Sequence, residues 1–293
     1  MHQLPLLAQR LYNTPLWAKP RFAETVSSLL AGRMGVKPML DADQIDREAR
    51  NVYAPIIDKM GVMTIPVVGG LAHRGDDLDA MCGMQSYTNL QNTLVTALDD
   101  TRVKGFLLDI DSPGGEAAGC LEFADTILQV RKEKPVWGIA NGQAASAAYA
   151  IGCSCERLYM TATGEVGSIG VVALHVDHSK MLANEGLVVT FIHAGARKVD
   201  GNFAEPLSDV ARAEWQEAVE YSYERFVTAV AQRRPISAEE IRATEARTYT
   251  ADKAVALKLV DGVSNYEAVR LEMGEKLRTQ KVQVINGKAV TYG

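Results

Sequence analysis

The sequence has no apolar run approaching the ~20 residues that a membrane-spanning helix requires, no internal repeat, no low-complexity block and no dominant charge. Its longest apolar segments are strand-sized, so no spanning helix and no membrane association are expected. The opening stretch MHQLPLLAQRLYNTPLWAKPRF is too polar to form the core of a signal peptide, so the protein is expected to be cytoplasmic. Cysteine is scarce: Cys82, Cys120, Cys153 and Cys155. Cys153 and Cys155 are too tightly spaced for an ordinary zinc pair, and no second pair completes a set. All four are expected as buried free thiols, packing as small hydrophobes. A net charge of -5 over 293 residues gives no electrostatic reason to expect nucleic acid or an anionic membrane as a partner.

What remains is an ordinary globular composition. A hydrophobic fraction of 47% is enough to bury a substantial core. Residues 1–58 read as a helical arm broken at Pro15, Pro20, Pro38 and Pro55, better suited to packing on a neighbour than to chemistry. The β-rich run Val62–Val68 opens the main domain, which is placed at residues 59–265. Within it, helices over 86–99, 118–132 and 207–233 alternate with strands at 105–111, 136–140, 157–161, 171–176 and 188–193. A further helix-turn unit covers 238–259, and residues 266–293 form a C-terminal helix and tail. Strands alternating with helices of 10 to 15 residues predict an α/β fold with a mainly parallel sheet and flanking helices. Working residues in such sheets gather in loops at the carboxyl ends of strands. The loops 111–116 and 141–147 have that position.

The second of these loops is Asn141-Gly-Gln-Ala-Ala-Ser146-Ala-Ala-Tyr. It ends a strand and places a hydroxyl where a helix of small residues begins, next to amides that can stabilise an oxyanion. The first loop, Asp111-Ser-Pro-Gly114-Gly115, allows positive φ and so can turn amides into a cleft. An N–H of Gly114 or Gly115 together with that of Ala147 would make a two-donor oxyanion hole. A serine nucleophile also needs a base, and His175, His178 and Lys198 lie downstream. A lysine serves only if burial or a neighbouring cation lowers its pKa. The Gly-rich turn Gly164-Glu-Val-Gly-Ser168-Ile-Gly170 places Ser168 where it can hydrogen-bond either the base or the nucleophile.

Ser-Pro-Gly-Gly at 112–115, Ala-Ala-Ser-Ala-Ala-Tyr at 144–149, Gly-Ser-Ile-Gly-Val at 167–171 and Lys198, in that order and spacing, resemble the signal peptide peptidase A family of serine proteases. The unit Ala251–Asp261 is similar to that family's terminal helix–strand unit, so the resemblance covers about residues 60–265. It implies a ClpP/crotonase-like spiral α/β fold. It makes Ser146 the nucleophile, Lys198 the base and Ser168 the group that orients the lysine. Gly114 and Ala147 become the oxyanion donors, with Gly115 a one-residue alternative. No metal or cofactor is implied. The family often has Gly-Gly after the serine, whereas this chain has Ala147-Ala148; alanine still supplies the amide, but pocket depth changes. The opening Tyr12-Asn-Thr-Pro-Leu-Trp-Ala and Leu-Ala-Gly-Arg at 30–33 resemble the family's phage-head branch. Members of that branch cut scaffold and other head proteins, sometimes themselves. The resemblance therefore implies protein substrates such as phage scaffold, portal or capsid proteins, and a homo-oligomeric ring whose sites can draw Ser and Lys from adjacent chains. The alternatives are a general or signal-peptide peptidase of the same family and a ClpP-like Ser–His–Asp protease using His175 or His178 with Asp177 or Asp200. A non-catalytic capsid scaffold protein and a crotonase-type enzyme complete the set.

Overall fold

The computed structural model describes residues 15–19, 54–74 and 84–289. In chain order the elements are strands β1 (Leu16–Ala18), β2 (Ile56–Ile57), β3 (Val62–Ala72) and β4 (Met84–Ser86), helix α1 (Tyr87–Leu98), β5 (Gly105–Glu116), α2 (Cys120–Val130), β6 (Val136–Ala145) and α3 (Ala147–Gly152). There follow β7 (Arg157–Met160), β8 (Glu165–Gly167), α4 (Ser179–Asn184), α5 (Asp209–Arg233), α6 (Ala238–Arg242), β9 (Thr248–Thr250), α7 (Ala251–Ala256), β10 (Gly262–Val263) and α8 (Tyr266–Ala289). The strands form one sheet with the spine β10-β7-β6-β5-β3-β2, and every spine pair except β2–β3 is parallel. The mainly parallel α/β class expected from sequence is therefore what the chain adopts.

The central strand shows why. Phe106, Leu107, Leu108 and Ile110 in β5 are all fully buried, the near-continuous apolar run of a parallel strand covered on both faces. Alternate residues point to opposite faces. Phe106, Leu108 and Ile110 join the core under α1, α2, α3 and the end of α5, including Tyr87, Phe123, Tyr149 and Phe226. Leu107 joins Val62, Trp137, Ile139 and Tyr159 beneath Val269 and Met273 of α8. Registers shift between Val68 and Gly70 in β3 and between Ile110 and Ser112 in β5, so both strands change course at the same level. Above that level lie β1, β4, β8 and β9, and there Gly114, Gly115, Ser146, Ala147 and Ser168 collect.

Several expectations are corrected. The turn expected at 112–115 is instead the continuation of β5, paired on one side with β3 and on the other with β1. Most of the 1–58 arm lies outside the described residues, but Leu16–Ala18 within it is a strand rather than helix. The strands expected at 171–176 and 188–193 do not form; Val172 makes only an isolated bridge to Leu16. Their β-branched residues find no partner strand here, and Val188 and Ile192 are 91% and 99% exposed. Strands β8 and β9 were not foreseen, being only three residues long. Cys120, Cys153 and Cys155 are buried and free, and burial pushes their thiols up; Cys82 lies outside the described residues.

One polar cluster fastens the closing elements to the core. Arg234 donates through Nη1 to Asp261 Oδ2 at 2.9 Å and through Nε and Nη2 to the Lys258 carbonyl. Asp261 Oδ2 also accepts from the Leu158 amide at 2.6 Å, and the buried Tyr149 hydroxyl donates to the Leu259 carbonyl. The Arg234 side chain is only 5% exposed, so removing its carboxylate leaves a buried charge short of a partner. Asp261→Ala should cost about 3 kcal/mol, the lower end of the range for breaking a buried pair, because the Asp261 side is partly open to water. Urea unfolding checks this: a loss below about 1 kcal/mol would show that the Lys258 carbonyl alone satisfies the guanidinium.

Candidate active site

Ser146 stands between β6 and α3 with φ 55° and ψ -119°. Positive φ is uncommon for a residue with a Cβ and carries strain of order 1–3 kcal/mol. The surroundings hold it there. The Ser146 amide donates to the Gly167 carbonyl at 2.8 Å, and the Ser146 carbonyl accepts from Tyr149 and Ala150. All six residues of α3 are buried, three of them alanines, so the helix sits tightly beneath the turn. The Ser146 side chain donates to the Gly170 carbonyl at 3.3 Å, and the residue has no solvent exposure.

Gly114 meets this turn from the neighbouring strand. It has φ 100°, and a Cβ placed on it would lie 3.1 Å from the Ala147 nitrogen and 2.1 Å from the Trp17 carbonyl oxygen. Only glycine fits there. The Ala147 amide is the first of α3, one of those an α-helix leaves without an internal partner. The Gly114 amide donates to Ser112 Oγ at 3.1 Å. Gly115 lies in register with Leu71 on one side and Trp17 on the other, and a Cβ on it would fall 1.8 Å from the Leu71 carbonyl oxygen. Its glycine character is explained by close strand packing.

Ser168 follows β8 with φ 54° and is 8% exposed. Its amide donates to the Arg247 carbonyl, and its own carbonyl accepts from Gly170. Ser146 and Ser168 are thus brought to one region through Gly167 and Gly170. Lys198 is not. It is exposed on the segment between α4 and α5, where its amide donates to the Gly195 carbonyl, and no bond joins it to Ser146. Neither histidine takes its place. His175 Nε2 pairs with the Asn202 carbonyl at 2.9 Å and its ring packs on Trp215. The His178 ring packs on Phe203, Asp177 caps Ser179, and Asp200 pairs with Arg197.

The feature that sequence reasoning missed is β1. Leu16, Trp17 and Ala18 pair antiparallel with Glu116, Gly115 and Gly114. The available signal was an apolar triplet between Pro15 and Pro20, too short for a helix and long enough for a strand. Among the described residues no helix is long and apolar enough to cross a membrane, and no cluster of three or more His, Cys, Asp or Glu is placed to hold a metal.

Comparison with known proteins adds the following. The profile of peptidase family S49 matches residues 129–280. The head-tail preconnector protein GP5 of Enterobacteria phage P21 is 33% identical over 269 residues, covering 87% of this chain and 54% of that protein. The capsid assembly protease C of Escherichia phage lambda is 30% identical over 308 residues, covering 98% of this chain and 69% of that protein. The chain thus spans about half the length of the first and about two thirds of the second. Among solved structures, a ClpP1 mutant from Listeria monocytogenes matches 69% of this chain and 91% of its own, with 16% identity and a TM-score of 0.43.

The backbone strain at Ser146 has a measurable consequence. Ser146→Gly should raise the stability of the folded chain by about 1 kcal/mol, whereas Ser146→Ala, which keeps a Cβ at positive φ, should not. Equal midpoints for the two variants in thermal unfolding would show that the turn is unstrained.

Proposed function

The chain belongs to peptidase family S49, and from that premise we propose that it is a serine endopeptidase in which Ser146 is the nucleophile and Lys198 the general base. The observation that carries this reading is the turn itself: a serine at φ 55° whose following amide, Ala147, lies against the backbone of Gly114. Neutral Lys198 takes the Ser146 proton as the hydroxyl attacks the scissile carbonyl. The oxyanion that forms is held by the Ala147 and Gly114 amides, the latter exchanging its Ser112 hydroxyl partner for the substrate oxygen. Lys198 then returns the proton to the leaving amine and activates the water that releases the acyl-enzyme. Ser168, close by on the Gly167–Gly170 turn, orients the lysine ammonium.

The site closes between subunits in this reading. In a single chain Ser146 is buried while Lys198 is exposed, six residues beyond the fully exposed Ile192. Leu187, Val188 and Ile192 form an extended apolar run of the kind that a second copy of the chain would cover. Packing that run onto a neighbour carries Lys198 with it and removes water from the ammonium, the condition under which a lysine becomes a base. The names of the two phage relatives, a head-tail preconnector protein and a capsid assembly protease, support a role in phage head assembly; scaffold, portal or capsid proteins as substrates belong to the proposal. Self-cleavage, a homo-oligomeric ring and a location in the host cytoplasm and prohead belong to the same reading.

Ser146→Ala and Lys198→Ala should each lower hydrolysis of a scaffold-like protein by ~10⁴-fold or more while folding is retained. Co-expressing the two inactive variants tests the shared site. Random assembly restores about a quarter of the sites if Ser and Lys come from adjacent copies, and none if both come from one chain. Full activity in Lys198→Ala would move the base to a histidine and sink the dyad.

A further inference from the structure

The strand β1 lies where a substrate would have to lie. On one edge it pairs with β5, and this ladder continues beyond its ends through Lys19 N–H to the Pro113 carbonyl at 3.0 Å and Ala117 N–H to the Pro15 carbonyl at 3.4 Å. On the other edge Leu16 exchanges both backbone bonds with Val172, at 2.8 and 3.0 Å. Val172 stands two residues beyond Gly170, whose carbonyl holds the Ser146 hydroxyl. The segment is therefore bracketed by the two stretches of chain that carry the candidate site. Ala18 is in register with Gly114, and the Trp17 carbonyl reaches the same corner that the Ala147 nitrogen lines.

Side chains fix the segment in this place. Trp17 is 1% exposed, its ring stacked on Phe226 with centroids 4.0 Å apart and planes 9° from parallel. Its indole Nε1 donates to Ser222 Oγ at 2.9 Å, and Lys19 Nζ pairs with Glu165 at 2.6 Å. Extended peptides commonly bind by adding a strand to an exposed edge, where main-chain bonds supply affinity and pockets for alternate side chains supply selectivity. Here both kinds of contact are already made, by the chain's own residues. The exposure of the nucleophile agrees: a cleft open to substrate would leave Ser146 accessible, and it has none.

We propose that Pro15–Lys19 is a resident, substrate-like strand that keeps the cleft closed, and that a protein substrate enters as an extended segment in its place. The incoming segment seats an aromatic side chain on Phe226 and Ser222 and a small side chain opposite Gly114. This rests on the Ser146 corner being the reacting site, as proposed above. The chain is then latent by construction. Apparent affinity for substrate is reduced by the fraction of molecules in which the strand is displaced, and anything that loosens it acts as an activator.

The test is binding of a fluorescent peptide, Thr-Pro-Leu-Trp-Ala-Lys-Pro, followed by anisotropy on the full chain carrying Ser146→Ala so that no cleavage intervenes. Adding Trp17→Ala should tighten binding at least about tenfold by freeing the cleft. Adding Lys19→Gln, which cuts a partly exposed ion pair of the resident strand and leaves Glu165 free for the peptide's lysine, should tighten it about two- to fivefold. Replacing the peptide's tryptophan with alanine should abolish the gain. If Trp17→Ala lacks a native near-ultraviolet circular dichroism spectrum, the Lys19→Gln chain decides alone. Equal affinity for the intact and loosened chains, no binding to any of them, or indifference to the peptide's tryptophan overturns the proposal. Because these chains lack the nucleophile, the result is independent of the dyad; residual peptidase activity in Ser146→Ala alone would sink the catalytic reading and leave the anisotropy unmoved.

Discussion

The backbone of Ser146 is the constraint around which the upper half of this molecule is arranged. A serine held at positive φ must be held by something, and here the holding comes from both sides. The Gly167 carbonyl takes its amide, while the first turn of α3 takes its carbonyl. The alanines after it have no bulk to resist close packing, and Tyr149 ties the same helix to the Leu259 carbonyl near the end of the domain. That end is fastened in turn by Arg234, Lys258 and Asp261. A chain of buried polar contacts thus runs from the closing elements to the reactive turn.

The same turn sets the shape of the cleft. Strands β3 and β5 shift register at one level, and beyond it β5 parts from β6 and exposes an edge at residues 113–117. The stretch from Gly167 to Val172 runs opposite. Under the proposed function, these two facing edges with Ser146 at their base would take one extended peptide. An edge of unpaired amides and carbonyls invites a strand, and in this chain the vacancy is filled from within by Leu16–Ala18. The stacking of Trp17 on Phe226 links that strand to α5, so the long helix belongs to the cleft wall rather than to the distant surface.

The segment between β8 and α5 shows the opposite economy. Its β-branched residues predict strands, yet a strand needs a partner, and the described residues of one chain offer none beyond the single bridge at Val172. The apolar side chains at 187–192 stay in water, and Lys198 stays with them. In the proposed mechanism this stretch, which a neighbouring copy would cover, also carries the base.

Sequence by itself determined the α/β class, the order of the central elements and the identity of the serine turn. Those follow from local properties: apolar periodicity, strand-sized runs such as 105–111, and small residues on both sides of Ser146. It also placed Gly114 and Ala147 at the same ends of neighbouring strands, because parallel strands of similar length put their carboxyl ends together. Tertiary structure alone decided that 112–115 is strand rather than turn, since pairing with β3 and β1 outweighs the turn preference of Pro and Gly. It alone showed that a Leu71 carbonyl presses against Gly115 and a Trp17 carbonyl against Gly114. The placement of Leu16–Ala18 in the cleft was equally invisible, as it depends on a free edge created nearly a hundred residues away. What a short segment does is set by the partner it finds, and no local pattern records the partner.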